Sequence, residues 1–274
     1  MITSLNINQF LGTVYTEEIK DTDVYSNMKS VLYYVKKHLI NETDIVFLHE
    51  MPVKYKEEFK KELSRILEEL ELLFFEPSQI SGKVRFITLA ICLDNKKISD
   101  IKLQPFILSQ KNRIIFLKQL VEIKDNIYKY NLIIGIHAPS EDVILFWQSL
   151  CDLISKILPY YCMNALGYDQ RIDGVYIVGD FNVYSPNTIQ KKYFYKLLSF
   201  GLLDNWIEND GKNSQATYIT EKSKIPVRLD YALVSENKNS YYETLIDDSA
   251  RESFTDHSAI ILKEKKNNLL NFLG

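Results

Sequence analysis

Apolar positions along the chain recur with two different periods. In "DVYSNMKSVLYYVKKHL", Val24, Met28, Val31, Leu32, Val35 and Leu39 share one face of a helix, and Phe59, Leu63, Ile66, Leu67, Leu70 and Phe74 do so in "EEFKKELSRILEELELLF". A third helix is predicted from Ser140, an N-cap residue followed by Glu141 and Asp142, to a stop at Pro159. A fourth covers "IQKKYFYKLLSFG" and ends at Gly201. Between them lie runs with strand character: "ITSLNI", "DIVFLHE", "VRFITLAICL", "RIIFLKQLVEI", "YKYNLIIGIHA", "VYIVGD", "VRLDYALVS" and "SAIILK". Several are almost continuously apolar, as strands covered on both faces are, while others alternate. Two packed sheets with helices outside satisfy this pattern.

The polar residues that interrupt or end these strands carry the chemistry. Asn6 falls inside "SLNIN", Glu50 ends "DIVFLHE", and His137 ends "NLIIGIHA". Asp180 and Asn182 end "VYIVGDFN", Asp230 sits inside "RLDYALV", and Asp256 and His257 immediately precede "SAIIL". A Gly-Asp-Asn cluster after a strand is ordinary turn chemistry taken alone. The same class of residue at the ends of six strands builds a cavity of carboxylates, amides and imidazoles if those ends converge. Clustered carboxylates repel unless a cation offsets them, and hard oxygen ligands suit magnesium or manganese. A histidine beside an aspartate is held in one tautomer and exchanges protons near neutral pH. Together these parts suit metal-assisted hydrolysis of a phosphate ester.

Bulk properties narrow the setting. The chain has 274 residues, 46% of them hydrophobic and 25% charged, which supports a folded core and argues against disorder. Its net charge of -3 excludes a generally basic protein, so contact with nucleic acid needs local patches. Candidate patches are Lys191, Lys192 and Lys196 after "GDFN", Lys222, Lys224 and Arg228 before "RLDY", and Lys111 with Arg113. No apolar run approaches the roughly 20 residues of a membrane span, and "MITSLNINQF" lacks the pattern of a signal peptide. Cys92, Cys151 and Cys162 lack metal spacing and are expected as buried free thiols, so the composition reads as cytoplasmic.

The series "LNIN", "FLHE", "GIHAPS", "GDFN", "RLDY" and "TDHS", in that order, resembles the endonuclease/exonuclease/phosphatase superfamily, which includes deoxyribonuclease I. The motifs run from Asn6 to His257 and cover almost the whole chain. The resemblance implies a four-layer α/β sandwich over residues 1–263, with residues 264–274 as a C-terminal tail. It also implies a Mg2+ or Mn2+ cofactor, with Glu50 as the principal metal-binding glutamate, Asn6 near the same ion and Asp256 beside it. His257 matches the catalytic histidine, as general base or as stabiliser of the phosphate, and Asp230 the aspartate that orients it. Asp180 matches a residue tied to water activation or a second metal, Asn182 the amide that binds the phosphate, and His137 a histidine that contacts phosphate or helps the leaving group. The deoxyribonuclease branch pairs that last histidine with a glutamate on an earlier strand, and "SGKVRFITLAICLD" offers none, which counts against the leaving-group role.

Other polar residues have ordinary explanations. His49, next to Glu50 on a strand, should face the other way and be a satisfied structural histidine. His38 lies at a helix C-terminus and needs no function. Tyr184 and Tyr218 fall in site-flanking loops, but most of the 18 tyrosines must serve packing. The expected activity is a metal-dependent phosphodiesterase, with nucleic acid as substrate and hence partner. A phosphatase or sphingomyelinase-like hydrolase is the alternative, and a catalytically dead binding module a third reading. Fold alone does not separate the first two.

Overall fold

Every strand run read from the sequence forms a strand, and the strands sort into two sheets of six. The computed structural model describes residues 1–13, 21–68, 70–77, 84–94, 96–101, 110–122, 128–141, 143–162, 171–184, 188–219 and 225–265. In chain order the strands are β1 (Ile2–Asn6), β2 (Ile45–Pro52), β3 (Leu72–Phe75), β4 (Phe86–Leu93), β5 (Ile98–Asp100), β6 (Ile114–Glu122) and β7 (Tyr128–His137). Then follow β8 (Arg171–Asp180), β9 (Leu202–Asp204), β10 (Tyr218–Ile219), β11 (Pro226–Val227), β12 (Asp230–Ser235), β13 (Tyr242–Asp247) and β14 (Ala259–Glu264). The long helices are α1 (Asp21–His38), α2 (Lys56–Ile66), α3 (Ile144–Cys162) and α4 (Ile189–Leu198). No helix among the described residues is long and apolar enough to cross a membrane.

The sheets run β13-β14-β1-β2-β4-β3 and β5-β6-β7-β8-β12-β9, with β10 and β11 as a separate two-stranded ribbon. Each six-stranded sheet holds one parallel pair at its centre, β1 with β2 and β7 with β8, and its other pairs are antiparallel. A parallel pair needs a crossover, supplied by α1 in the first sheet and α3 in the second. Three of the four paired strands end on polar residues, Asn6, His137 and Asp180, and β2 carries Glu50 two residues before its end, in the region where open α/β sheets place their ligands.

Side-chain alternation sets the layers. On β2, Val46 and Leu48 pack toward α1 and α2, while Ile45 and Phe47 pack against the other sheet. On β8, Val175 and Ile177 pack toward α3 and α4, while Tyr176 and Val178 face the first sheet. Three apolar cores thus separate four layers, the expected α/β sandwich. The sheets come so close at one point that a β-carbon on Gly135 would lie 2.1 Å from the Phe47 ring.

The helix boundaries depart from the periodicity in two places. The second helix stops at Ile66, and Phe74 lies on β3, because the apolar run Leu72–Phe75 pairs with the edge of β4. Pairing that covers a strand's backbone outweighs a helical spacing that leaves Leu70 40% exposed. The third helix begins at Ile144, after Ser140, whose carbonyl accepts the Gln190 amide at 3.2 Å, and it does not stop at Pro159 but continues to Cys162. The fourth ends as expected, with Gly201 at φ +90°. Cys92 and Cys151 are buried free thiols, each pushed up to about 12 by burial, and the Cys162 side chain lies outside the described residues.

Candidate active site

The predicted residues meet at one end of the sandwich, and the alternation explains why. His137 follows Ile133 and Gly135 on the inward face of β7, and Asp180 follows Tyr176 and Val178 on β8. Asp230 shares a face with Ala232 and Val234 on β12. The sheet register then sets them side by side, His137 opposite Asp180 and Asp180 opposite Asp230. They are the polar end of the stripe that forms the core between the sheets.

Two residues need a special backbone to join them. Glu50 lies at a register irregularity between Leu48 and Met51 and has φ +57°, and Asn182 has φ +51°. A left-handed conformation in a non-glycine residue costs about 1–3 kcal/mol, and strain of that kind concentrates at functional sites. Gly179 has φ +147°, and a β-carbon there would sit 1.8 Å from the Ile136 carbonyl oxygen. The glycine of "GDFN" is thus required by close backbone approach.

The acidic side is tightly held. The Asn6 amide donates to Asp180 at 3.1 Å and to Glu50 at 3.4 Å, and Gln9 donates to the other Glu50 oxygen at 2.9 Å. The Thr255 hydroxyl donates to the Asn6 carbonyl at 2.7 Å, which ties Asp256 to the end of β1. Burial raises the Asp256 carboxyl, and the negative charge of Glu50 raises it further against the opposing pull of His257. Asp180 accepts the Asn182 backbone N–H at 2.9 Å, yet burial and Asp230 together raise it well above the carboxylate range.

His257 and Asp230 form a pair, with Nδ1 2.9 Å from the carboxylate and Nε2 3.9 Å from Asp180. Burial works against the charged ring, but the charge and hydrogen bond of Asp230, helped by Asp180 and Asp256, push it up to about 10. The pair is aligned by Thr217, whose hydroxyl accepts the Leu229 and Asp230 N–H groups at 2.9 and 3.0 Å. Its carbonyl accepts the Ser258 N–H at 2.7 Å. The Tyr218 ring lies 4.8 Å from the His257 ring.

His137 sits differently. One nitrogen of the Arg113 guanidinium is 3.1 and 3.2 Å from its two ring nitrogens, and its Nε2 is 3.3 Å from Glu50. Burial, then Arg113, hold the ring far below its ordinary value, so it is neutral. Arg113 itself lies 4.9 Å over the Phe86 ring; burial lowers it, and the charges of Glu50, Asp180 and Glu141 oppose that shift.

All eight predicted site residues reach this end of the fold, but in different roles of contact. Asn182 directs its amide N–H at the Ala138 carbonyl, 2.8 Å away, which fixes the turn after β8. His49 is a buried structural residue as expected, bonded to Ser4 and Thr88 and lowered to about 3 by burial, but it faces between the sheets, its ring 6.3 Å from that of His137, and not away from the site. His38 bonds the Tyr34 carbonyl through Nδ1 at 2.8 Å, and burial lowers it, so it is no dipole-paired cation. Arg228 is no free patch residue: it binds Asp204 through two nitrogens at 2.8 and 2.7 Å, and Lys222 and Lys224 lie outside the described residues. Gln9 and Thr217 carried no signal in the sequence. Arg113 was read only as a basic-patch residue with Lys111; it directly precedes β6, whose Ile114 pairs with Ile136 beside His137.

A metal fits the donor set. Asp180, Asp230 and His257 bring ligand atoms within 4.8 Å of one another, and Glu50 stands close enough to Asp256 to raise it. Hard carboxylate oxygens with an excess of negative charge suit Mg2+ or Mn2+.

No protein-family model matches the chain, and no curated protein sequence does. Solved structures match over nearly its full length. It is similar to the 3' phosphatase NExo from Neisseria bound to product DNA hairpin, at 14% identity and a TM-score of 0.64 over 97% of this chain and 99% of that one. The AP endonuclease from Leishmania major is 11% identical with a TM-score of 0.63, covering 97% and 87%. An endonuclease/exonuclease/phosphatase family protein from Leptotrichia buccalis is 14% identical with a TM-score of 0.53, covering 97% and 99%. At such identities the likeness establishes the fold, which is deoxyribonuclease I-like.

Proposed function

From a chain with the endonuclease/exonuclease/phosphatase fold, we propose a metal-dependent phosphodiesterase that hydrolyses phosphodiester bonds in nucleic acid. The observation that carries this is the convergence of Asp180, Asp230 and His257 within 4.8 Å, beside the mutually repelling acids Glu50 and Asp256. Glu50, Asp256 and Asn6 are the residues that would hold the metal. In the cluster beside them Asp230 is already paired with the His257 ring, which leaves Asp180 and His257 to act on water and phosphate. When bound, Mg2+ or Mn2+ supplies Lewis-acid polarisation of a phosphate oxygen and a more acidic water.

The chain's own residues divide the remaining work. Asp180, raised by burial and Asp230, takes a proton from the attacking water near neutral pH. His257, cationic and fixed by Asp230, donates from Nε2 to a phosphate oxygen and stabilises the charge that develops there. Arg113 and neutral His137 form a second donor group on the other side. Asn182 holds the turn that carries Asp180, through its backbone N–H to that carboxylate and its amide N–H to the Ala138 carbonyl.

Nucleic acid is favoured over a small phosphorylated molecule by the lysines of α4, where Lys191, Lys192 and Lys196 follow the "GDFN" turn. The Neisseria protein is bound to a product DNA hairpin, and the Leishmania protein is named an AP endonuclease. The test is a panel of plasmid, single-stranded DNA, RNA, abasic duplex, sphingomyelin and inositol phosphates, each with Mg2+ or Mn2+. A polynucleotide should be cleaved, cleavage should weaken steeply with salt, and a chelator should abolish it until metal is restored. Full activity in excess chelator would overturn the metal. Turnover of an inositol phosphate or lipid headgroup, with none of DNA or RNA, would overturn the substrate.

A further inference from the structure

Beside the catalytic strands lies a second feature with no part in that chemistry. Val183 and Tyr184 directly follow Asn182, and Arg228 stands two residues before Asp230; together with α4 they line a cleft of ≈ 560 Å³. Its floor is aromatic and fixed. The Phe194 and Tyr231 rings are 4.8 Å apart, Arg228 lies 4.4 Å over Tyr231, and the Arg228 charge neutralises Asp204 through two hydrogen bonds. The rim carries Tyr184, 61% exposed, and Tyr195, 57% exposed, with the Lys191 ammonium 5.8 Å over the Tyr195 ring.

We propose that this cleft is a nucleobase subsite, which takes one unpaired base next to the scissile phosphate against the faces of Tyr184 and Tyr195. The inference rests on the nucleic-acid reading above. Three features select this occupant. One end of the cleft is lined by Tyr184 and Arg228, each two residues from Asn182 or Asp230, so a base at that end lies within roughly 7 Å of backbone from the site. Exposed tyrosines on a rigid floor present flat π-faces, and stacking on such faces accepts any base. Lys191 at the rim complements a phosphate that follows the base. A base inside a duplex is stacked on its neighbours and has no face to offer, so the subsite selects single-stranded or frayed substrate.

The test combines two deletions. Tyr184→Ala and Tyr195→Ala are compared with Tyr184→Phe and Tyr195→Phe on a single-stranded oligonucleotide, and abasic spacers are placed in turn at the nucleotides flanking the cleaved bond. Each alanine variant should raise KM about tenfold with a smaller change in kcat, and phenylalanine should restore it. A spacer at the bound position should cost the wild type a similar factor, and the two losses should overlap rather than multiply. Melting temperatures of all variants check the fold. If the wild type cleaves the strand but the alanine variants match its KM, or their losses multiply with every spacer, the subsite is wrong and the nuclease reading stands. If no nucleic acid is bound or cleaved while a small phosphate ester is turned over, both fall.

Discussion

Two imidazoles enter the site from opposite sheets, and their surroundings drive them in opposite directions. His137, at the end of β7, is 4% exposed, and His257, just before β14, is 5% exposed, so burial penalises both charged rings alike. The sign is set by the neighbour. The Arg113 guanidinium beside His137 adds to the burial penalty and keeps the ring neutral, whereas Asp230 beside His257 outweighs it and pushes the ring up to about 10. One site thereby holds a cationic donor and a neutral ring a short distance apart, each facing Asp180 at 3.8–3.9 Å. Separating two like groups in this way is how a fold assigns them different tasks.

The strongest way to break this contrast is to remove the anion. Asp230→Ala should let His257 fall to the low, neutral condition of His137, and His257→Ala should remove the same contribution directly. General acid–base and charge-stabilising groups of this kind contribute about 10²–10⁴-fold, so each variant should lose rate on that order. The double variant should be little worse than His257→Ala alone. Steady-state kinetics decide it, and multiplicative losses would show that the two residues act separately.

Removing the cation should do less and act elsewhere. Arg113→Ala is expected to raise KM on the order of tenfold or more, the scale of a lost charge-assisted hydrogen bond, with a smaller effect on kcat. His137 should then titrate at a higher pH, visible in its imidazole NMR resonances, because the second-largest influence lowering it would be gone, leaving burial, His49 and His257. A drop in kcat alone, with KM unchanged, would contradict a phosphate-binding role.

The smallest effect is on stability, and there the two rings should differ in sign. With metal chelated, the raised His257 contributes stability that is complete below about pH 6.5, the ordinary histidine value, and fades as pH rises toward about 10. The depressed His137 contributes stability above about pH 6.5 that is lost as the pH falls. Melting temperatures of His257→Gln should therefore approach those of the wild type as the solution becomes alkaline, and those of His137→Gln should approach it in acid. Parallel curves for the two variants would show that the contrast in their surroundings is not felt by the folded state.

Much of the site was legible as polar residues ending apolar runs. Asp180 and Asp230 are also on the correct faces by simple alternation, Tyr176-Val178-Asp180 and Asp230-Ala232-Val234. Glu50 was legible as a residue but not as a geometry: alternation from Phe47 and His49 points it away from the site, and only its left-handed turn brings it back. Arg228 was misjudged because a basic residue near "RLDY" looks like a substrate contact until Asp204, 24 positions away, is seen to hold it. The strand at Leu72–Phe75 was hidden because a four-residue apolar run fits helical and extended spacing equally, and its edge pairing with β4 decides between them.

By itself the sequence determined the four layers, since doubly apolar strands and one-sided helices have few ways to hide those surfaces, and it determined which strand ends are polar. What only the tertiary structure decided is how those ends meet. The placement of His257 against Asp230 at 2.9 Å, the Arg113 guanidinium against His137, and the Thr217 and Gln9 supports all depend on partners between 12 and 41 positions apart. Local periodicity carries the direction of a side chain relative to its own strand. The electrostatic sign of a buried group depends on which charge the packing of two sheets sets beside it, and that is a property of the assembled fold.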